Sequence, residues 1–477
     1  MTVDYDLIIL GGAPAGRYAA LRACKLGARV ALIEPAASAS ALPDCLSQVN
    51  RLLQSQAWLE QFAPDAASLP AGLPADLPPT PTRLPDWENL RRWSERISRH
   101  LAASMALPHS LPHLMSAGVE VIVAAAAFQQ PNPRLRLAVA VADRLLRGRS
   151  YLLAPATQPA TLPGVDLAPW TDWPRLPAQI AILGRDPDGV WLAQVLNRLG
   201  ATVSLIRSGG FLPQADPEVA RLLQLQLEAE GVTVLTQAEA TQLRQIERQI
   251  WVQVGDRAIE ADAVLLADAH LELASLNLEA VGVKWQPEQI LVNRKLQTTQ
   301  PRIYACSAGS GWGSGWGFGL NHWAEADIAV HNALGFPAKS LPDLRVWSLP
   351  TDPEVVRMGM SESQAVRRYG AAVQIGKLPL RLAGSAQRRG DTGFVKLIAH
   401  ANGKILGADA VGAGASDWMG EVALAMQHLT LKALVASPAL SPISQLIRQI
   451  AAEMQVQQRP NWQKTLLETW FDFRRSR

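Results

Sequence analysis

Tyr5-Asp6-Leu7-Ile8-Ile9-Leu10-Gly11-Gly12-Ala13-Pro14-Ala15-Gly16 opens a unit that continues through Arg17 to Gly27 and closes at Arg29-Val30-Ala31-Leu32-Ile33-Glu34. Tyr5 to Leu10 is a short apolar run, which predicts a strand buried on both faces. The glycines after it permit a tight turn. Arg17 to Gly27 has helical spacing, with Ala20, Cys24 and Leu26 near one face. Arg29 to Ile33 predicts a second strand, and Glu34 places a carboxylate at its end. The order strand, glycine turn, helix, strand is a βαβ unit.

The same order returns about 170 residues later. Ile180 to Leu183 predicts a strand, Gly184-Arg185-Asp186-Pro187-Asp188-Gly189 the turn, Val190 to Leu199 a helix and Thr202 to Ile206 the next strand. Two such units predict two dinucleotide-binding domains in one α/β chain. Between them, Asp86 to Met105 has the spacing of an amphipathic helix, with Leu90, Trp93, Ile97 and Leu101 on one side. Val119 to Ala127 and Arg134 to Val141 read as strands, and Tyr151 to Leu153 as a short one. Ala63 to Pro85 carries prolines at 64, 70, 74, 78, 79, 81 and 85, which exclude regular helix and predict a surface wrap. From Asp352 the pattern becomes α+β, with strands near Ala371 to Gln374 and Gly393 to Ile398, then long helices after Gly414.

A chain of 477 residues exceeds one hydrophobic core, so two to four domains are expected. The formal charge of +3 comes without a concentrated basic stripe, which argues against nucleic-acid binding. No apolar stretch reaches the roughly 18–20 residues needed to span a bilayer. The longest, Val119 to Phe128, is interrupted by Glu120 and reads as a buried strand. Asp4 and Asp6 replace the basic start of a secretory signal. Cys24, Cys45 and Cys306 are far apart, giving neither a disulfide framework nor metal-ligand spacing. A reducing, cytoplasmic setting is the expectation.

In order and content these pieces resemble the pyridine nucleotide–disulfide oxidoreductases, the family of dihydrolipoamide, glutathione and mercuric reductases. Pro301-Arg302-Ile303-Tyr304-Ala305 resembles the approach to its second FAD motif, and Leu320-Asn321-His322-Trp323-Ala324-Glu325 the helix start after it. Thr351-Asp352-Pro353-Glu354-Val355, Gly359-Met360-Ser361-Glu362, Gly393-Phe394-Val395-Lys396-Leu397 and Ile405-Leu406-Gly407-Ala408 resemble parts of its dimerisation domain. The resemblance covers about the first 455 residues. It implies a FAD-binding domain at 1–165 and 287–345, a degenerate NAD(P)-binding-like domain at 166–286, and a dimerisation domain at 346–455. A homodimer follows from the last.

The resemblance also assigns sites. The FAD pyrophosphate would lie against the turn Gly11, Gly12, Ala13, Pro14, Ala15 and Gly16, meeting its backbone N–H groups at a helix N-terminus, with Pro14 lending shape but no donor. Glu34 would accept from the adenosine ribose, and backbone near Ala126 would contact the adenine. Ala13 departs from the expected glycine by one methyl group. The second FAD motif, Ala-x-Gly-Asp in the family, reads Ala305-Cys306-Ser307-Ala308 here. Losing that aspartate removes a charge-assisted hydrogen bond, roughly 1.5–3 kcal/mol. The Gly/Trp-rich insertion Gly309 to Gly319 either compensates through its amides and aromatics or is a surface loop. FAD contacts are carried over to Ala308 and Leu320 on its flanks.

The family's redox chemistry is not carried over. Cys45 stands on the first redox cysteine, but Asn50 stands on the second, so no intrachain disulfide is expected. Cys45 reads as a small buried hydrophobe or, alternatively, as a single reactive thiol. The C-terminal His-Pro-Thr-x-x-Glu motif becomes Ser437-Pro438-Ala439-Leu440-Ser441-Pro442, and serine cannot serve as the acid–base group that histidine is. In the second turn, Gly184 and Gly189 remain, but Asp186 occupies the middle glycine. At ~5 Å and an effective dielectric of about 20, its repulsion of a pyrophosphate is ~3 kcal/mol. Arg207 ends the next strand, where it is either an NADP 2′-phosphate partner or a surface residue. The segment after Val264 also departs from the family.

Residues 456–477 form a tail in which Trp462, Leu467, Trp470, Phe471 and Phe473 alternate with Arg459, Lys464, Arg474, Arg475 and Arg477. It suits a peripheral membrane surface, a protein partner, or packing onto the dimer. Two functions remain: a FAD-dependent oxidoreductase with a small-molecule or protein acceptor other than a disulfide, or a pseudoenzyme serving regulation or assembly. Single-thiol peroxide reduction at Cys45 is a third.

Overall fold

The computed structural model describes residues 3–35, 87–103, 109–129, 137–159, 170–247, 249–287, 289–306, 322–341, 346–384, 386, 392–428, 430–439, 441–457 and 461–475. The proline-rich stretch, Cys45, Asn50, Ala308, Leu320 and the Gly/Trp-rich insertion lie outside them. The chain divides into two compact units, one of residues 1–211 and 224–341, the other of 212–223 and 342–477.

In the first unit a five-stranded sheet runs in the order Ile303–Ala305, Gly148–Leu153, Tyr5–Leu10, Val30–Glu34, Glu120–Val123, with every pairing parallel. Tyr5–Leu10 lies in the middle, and Leu7 to Leu10 are all essentially inaccessible to solvent. Side chains alternate across it. Tyr5, Ile8 and Leu10 join one core with Phe128, Val139 and Tyr151. Leu7 and Ile9 face the other, packed on the helices Pro14–Lys25 and His322–Leu334 through small residues, Ala19, Ala20, Ala23, Ala326 and Ala329. Proline in the first turn of Pro14–Lys25 suits a position with no intrahelical N–H partner.

A second parallel sheet in this unit has the order Thr233–Thr236, Thr202–Arg207, Gln179–Leu183, Ala263–Leu266. Gln179–Leu183 is followed by the helix Asp188–Arg198, with Val190, Trp191, Leu192, Val195 and Leu196 buried.

Three expectations change here. The strand predicted at Tyr151 to Leu153 begins at Gly148, and Ser150 is accommodated because its hydroxyl donates to the Ala333 carbonyl at 2.8 Å. The run Val119 to Phe128 is not one buried strand. It is Glu120–Val123 at the sheet edge, with Val123 half exposed, and a separate Ala126–Phe128 in a three-stranded antiparallel sheet. Ala371 and Ala372 belong to a short 3-10 turn, and the strand there is Val373–Pro379.

The second unit carries a five-stranded antiparallel sheet in the order Val346–Leu349, Glu354–Gly359, Ile405–Gly412, Phe394–His400, Val373–Pro379. After Gly414 three short helices, Ala415–Trp418, Gly420–His428 and Leu431–Ala436, precede the long ones, Pro442–Gln457 and Asn461–Arg475. A row of charges crosses the sheet, because Asp409 is register partner to both Arg357 and Lys396. Lys396 Nζ reaches Asp216 at 2.8 Å and Glu362 at 3.1 Å. Burial alone would lower its pKa, but these carboxylates raise it. Asp409 is 2% exposed, its Oδ2 has no hydrogen-bond partner, and Arg357 lies 3.6 Å away.

Candidate functional site: two glycine turns

Gly11–Gly16 and Gly184–Gly189 share one frame. The Gly11 amide donates to the Ile33 carbonyl, and the Gly184 amide to that of Ile206, each at the end of the neighbouring strand. The Gly16 amide donates to Ala13, and the Gly189 amide to Asp186. On the other side, Ala154 donates to Leu10 and Ala267 to Leu183. The last glycine of each turn is dictated by packing, since a Cβ on Gly16 would lie 2.8 Å from the Ala154 methyl, and one on Gly189 2.8 Å from that of Ala267. Gly11 and Gly184 have φ of +109° and +133°, a region that L side chains rarely adopt.

The first turn is open. Among the described residues, nothing accepts from the Gly12 and Ala13 amides, which precede the N-terminus of Pro14–Lys25. Glu34 lies against the turn, so close that a Cβ on Gly12 would come 2.1 Å from its Oε2. Its carboxylate is held by Arg17, with Nε to Oε2 at 3.1 Å and a second nitrogen to Oε1 at 2.9 Å. Each carboxylate oxygen keeps a further lone pair for a hydroxyl donor. The Ala124 amide donates to the Glu34 carbonyl, which brings the chain approaching Ala126 beside this strand end. Free amides at a helix N-terminus, a positive helix end and an acceptor on the next strand suit the diphosphate and ribose of FAD. Ala305 and Cys306, from the altered second FAD motif, are buried, and the Cys306 amide donates to Leu153.

The second turn is closed. The Arg185 amide, counterpart of the Gly12 amide, donates to Asp268 Oδ1 at 2.7 Å. Arg207 is 1% exposed and donates to the carbonyls of Asp186, at 2.9 Å, and Arg185. Its Nε is buried without a hydrogen-bond partner. Burial lowers its pKa to about 10, against the opposing pull of Asp186 and Asp268. Of the two readings that the sequence left for Arg207, neither describes this side chain. It is not a solvent-facing residue, nor does it stand free at the strand end to meet a 2′-phosphate, because the turn's own carbonyls hold it. Asp188, fully buried, accepts from Trp191 Nε1 at 3.2 Å. The residues present do not fit a dinucleotide.

Sequence reading did not single out Asp268, Pro155 or Arg17. Pro155 and Asp268 hold equivalent places, each two residues beyond the strand that flanks the turn's own strand and each close to the first glycine of its turn. The departure of the segment after Val264 was the available signal. Ser437, in place of the family's histidine, follows the helix Leu431–Ala436 and donates its hydroxyl to Leu434. In the helix Asn461–Arg475, Trp462, Leu466, Trp470, Phe471 and Phe473 are all exposed. No helix among the described residues is long and apolar enough to cross a membrane.

Comparison with known proteins agrees with this architecture. A family model described as pyridine nucleotide-disulphide oxidoreductase matches residues 142–326, and that of the same family's dimerisation domain matches 347–445. Dihydrolipoyl dehydrogenase of Bacillus subtilis is 29% identical over 439 residues, 88% of this chain and 92% of that protein. Mercuric reductase of Staphylococcus aureus is 28% identical over 456 residues, 91% and 79% of the two chains. Among solved structures, LpdA from Mycobacterium tuberculosis aligns with a TM-score of 0.78 at 21% identity, over 94% of this chain and 99% of that one. The HOCl-induced flavoprotein disulfide reductase RclA from Escherichia coli aligns with a TM-score of 0.73, also at 21% identity and with the same coverage. The dimerisation domain supports a homodimer. With both of its parts matched in order, the chain belongs to the FAD-dependent pyridine nucleotide–disulfide oxidoreductase family.

Proposed function

We propose that this chain is a FAD-binding flavoprotein oxidoreductase that passes electrons to an acceptor other than a disulfide, such as a quinone, a metal centre or oxygen. The observation that carries the reading is the first turn, where no described residue accepts from the Gly12 and Ala13 amides at a helix N-terminus and Glu34 lies beside them. Bound FAD supplies reversible storage of electrons. The chain's part is to hold the diphosphate on the Gly12 and Ala13 amides of the Gly11–Gly16 turn and the ribose on Glu34, with the residues 1–165 and 287–345 forming the FAD-binding domain.

Two features argue against dithiol work. Asn50 stands where the family has its second redox cysteine, so the family's disulfide at Cys45 cannot form. Ser437 commits its hydroxyl to a helix end and offers no imidazole. The visible absorption spectrum of the purified protein, taken before and after excess FAD and desalting, tests the reading. Flavin bands that survive desalting are expected, with no turnover of lipoamide or glutathione disulfide. A colourless protein that rejects FAD overturns it.

A second reading, a homodimeric pseudoenzyme serving regulation or assembly, is favoured by Asp186 and the closed second turn. Chemical reduction of the bound flavin followed by anaerobic mixing with a quinone separates the two. Repeated turnover supports the oxidoreductase, and none with quinone, ferric chelate or oxygen supports the pseudoenzyme.

A further inference from the structure

We propose that Asp268 is a built-in stand-in for a nucleotide phosphate, and that together with Arg207 it keeps the second turn shut to both NADH and NADPH. In a dinucleotide site the amides of the glycine turn exist to meet a pyrophosphate. Here an oxygen of Asp268 sits 2.7 Å from the Arg185 amide, the distance and charge that a phosphate oxygen would supply. Arg207 grips the carbonyls of Arg185 and Asp186 from the adjacent strand end. The amide of Arg185 is thus held on one side, and the following peptides are held through their oxygens. The turn cannot swing its amides toward an outside anion without breaking both sets of bonds.

The charges agree with the geometry. Arg207 is balanced by Asp186 and Asp268, both close enough to pull on it. A pyrophosphate entering here would add negative charge beside the carboxylates of Asp186 and Asp268, while the Arg207 guanidinium is turned to the turn's own carbonyls and the turn's other cation, Arg185, lies exposed in screening solvent. The ends of the two cofactors are excluded as well. NADH needs a hydrogen-bond acceptor for its ribose hydroxyls at the end of the second strand, and a guanidinium has none. NADPH needs a free cation for its 2′-phosphate, and Arg207 is 1% exposed with two carbonyls to serve. The flavin takes no part in this inference, which stands or falls apart from the flavoprotein reading.

Two measurements on the full-length protein test it. Isothermal titration with NADH and with NADPH is expected to show no binding to the wild type up to millimolar concentration. A micromolar Kd for either nucleotide overturns the proposal. Hydrogen exchange of the peptide spanning Gly184–Gly189 reads the lock itself. In Asp268→Gly the Arg185 amide is expected to exchange roughly ten- to a hundred-fold faster, the loss of one charge-assisted hydrogen bond. Asp268→Asn keeps an acceptor oxygen and is expected to stay within a few-fold of wild type, roughly what a neutral hydrogen bond retains. Equal protection in Asp268→Gly and wild type overturns the lock.

Discussion

Gly11-Gly12-Ala13-Pro14-Ala15-Gly16 and Gly184-Arg185-Asp186-Pro187-Asp188-Gly189 are built on the same backbone bonds and finished to opposite ends. Each has its first glycine pinned to the neighbouring strand and its last packed on an alanine methyl. What differs is the residue beside the first glycine, Pro155 in one turn and Asp268 in the other. The proline side chain carries no acceptor, and among the described residues nothing accepts from the Gly12 and Ala13 amides. Aspartate offers one within hydrogen-bond distance, and the turn closes on itself. The strand ends follow suit, with Glu34 presenting an acceptor and Arg207 withdrawn into the turn's carbonyls. A glycine turn thus sets the shape of a phosphate site, while a residue more than eighty positions away decides whether it is available.

Exchanging that residue is the strongest way to break the comparison. Pro155→Asp places a carboxylate where the first turn meets its ligand. At ~5 Å and an effective dielectric of about 20 the repulsion of the FAD diphosphate is ~3 kcal/mol. Affinity of the apoprotein for FAD, followed by flavin fluorescence, should fall by more than about a hundred-fold. Unchanged affinity would mean that the position facing the first glycine does not control access.

The acceptor at the strand end comes next. Glu34→Ala removes the carboxylate proposed for the ribose, worth roughly 1.5–3 kcal/mol for a hydrogen bond to a charged group. The same titration should show FAD binding weakened about ten- to a hundred-fold. A variant that binds as tightly as wild type would remove Glu34 from the site.

The fold and the first turn were legible in the sequence because both depend on local pattern. Apolar runs such as Leu7 to Leu10 sit in central strands and need no partner to be recognised. Gly148-Arg149-Ser150 escaped because its polarity hides a strand whose serine is satisfied by Ala333, far off in sequence. The closure of the second turn was half legible. Asp186 stands inside the motif and could be read there. Asp268 acts across 83 residues and Arg207 across 21, and no spacing rule connects either to the turn. The same holds for Asp216, which meets Lys396 from 180 positions away.

Asp409 sharpens the comparison by showing a buried acid without an amide to hold it. One of its oxygens has no partner, and burial pushes its pKa up to about 6, with Arg357 opposing and Asp216 adding to the rise. Its folded affinity for a proton therefore exceeds its unfolded one. The associated stability is full below an unfolded pKa near 4 and is lost as pH rises through about 6. Asp409→Asn should flatten the pH dependence of the urea midpoint between pH 4 and 6 and raise stability at pH 7 by roughly 1–3 kcal/mol. Groups facing it, Arg357, Lys396, Asp216 and Glu362, remain to titrate. A slope equal to that of wild type would show that the Asp409 carboxylate is no burden to the fold.

Arg17 makes the finest distinction between the turns. Like Arg207 it is an arginine bonded within its own βαβ unit, but it grips the Glu34 carboxylate rather than the turn's carbonyls. Its side chain is 30% exposed, so solvent screens the pair and its strength is that of a good surface ion pair, about 0.5–1 kcal/mol. Holding Glu34 in one rotamer leaves the carboxylate oxygens turned toward Gly12, where a ribose hydroxyl would arrive. Arg17→Met should weaken FAD binding by only about two- to five-fold, with the turn still open. The corresponding change at Arg207 removes both carbonyl bonds and should loosen the second turn instead, read as faster amide exchange across Gly184–Gly189. If Arg17→Met abolished FAD binding outright, Arg17 would be a ligand in its own right, and the two arginines would differ in kind rather than in placement.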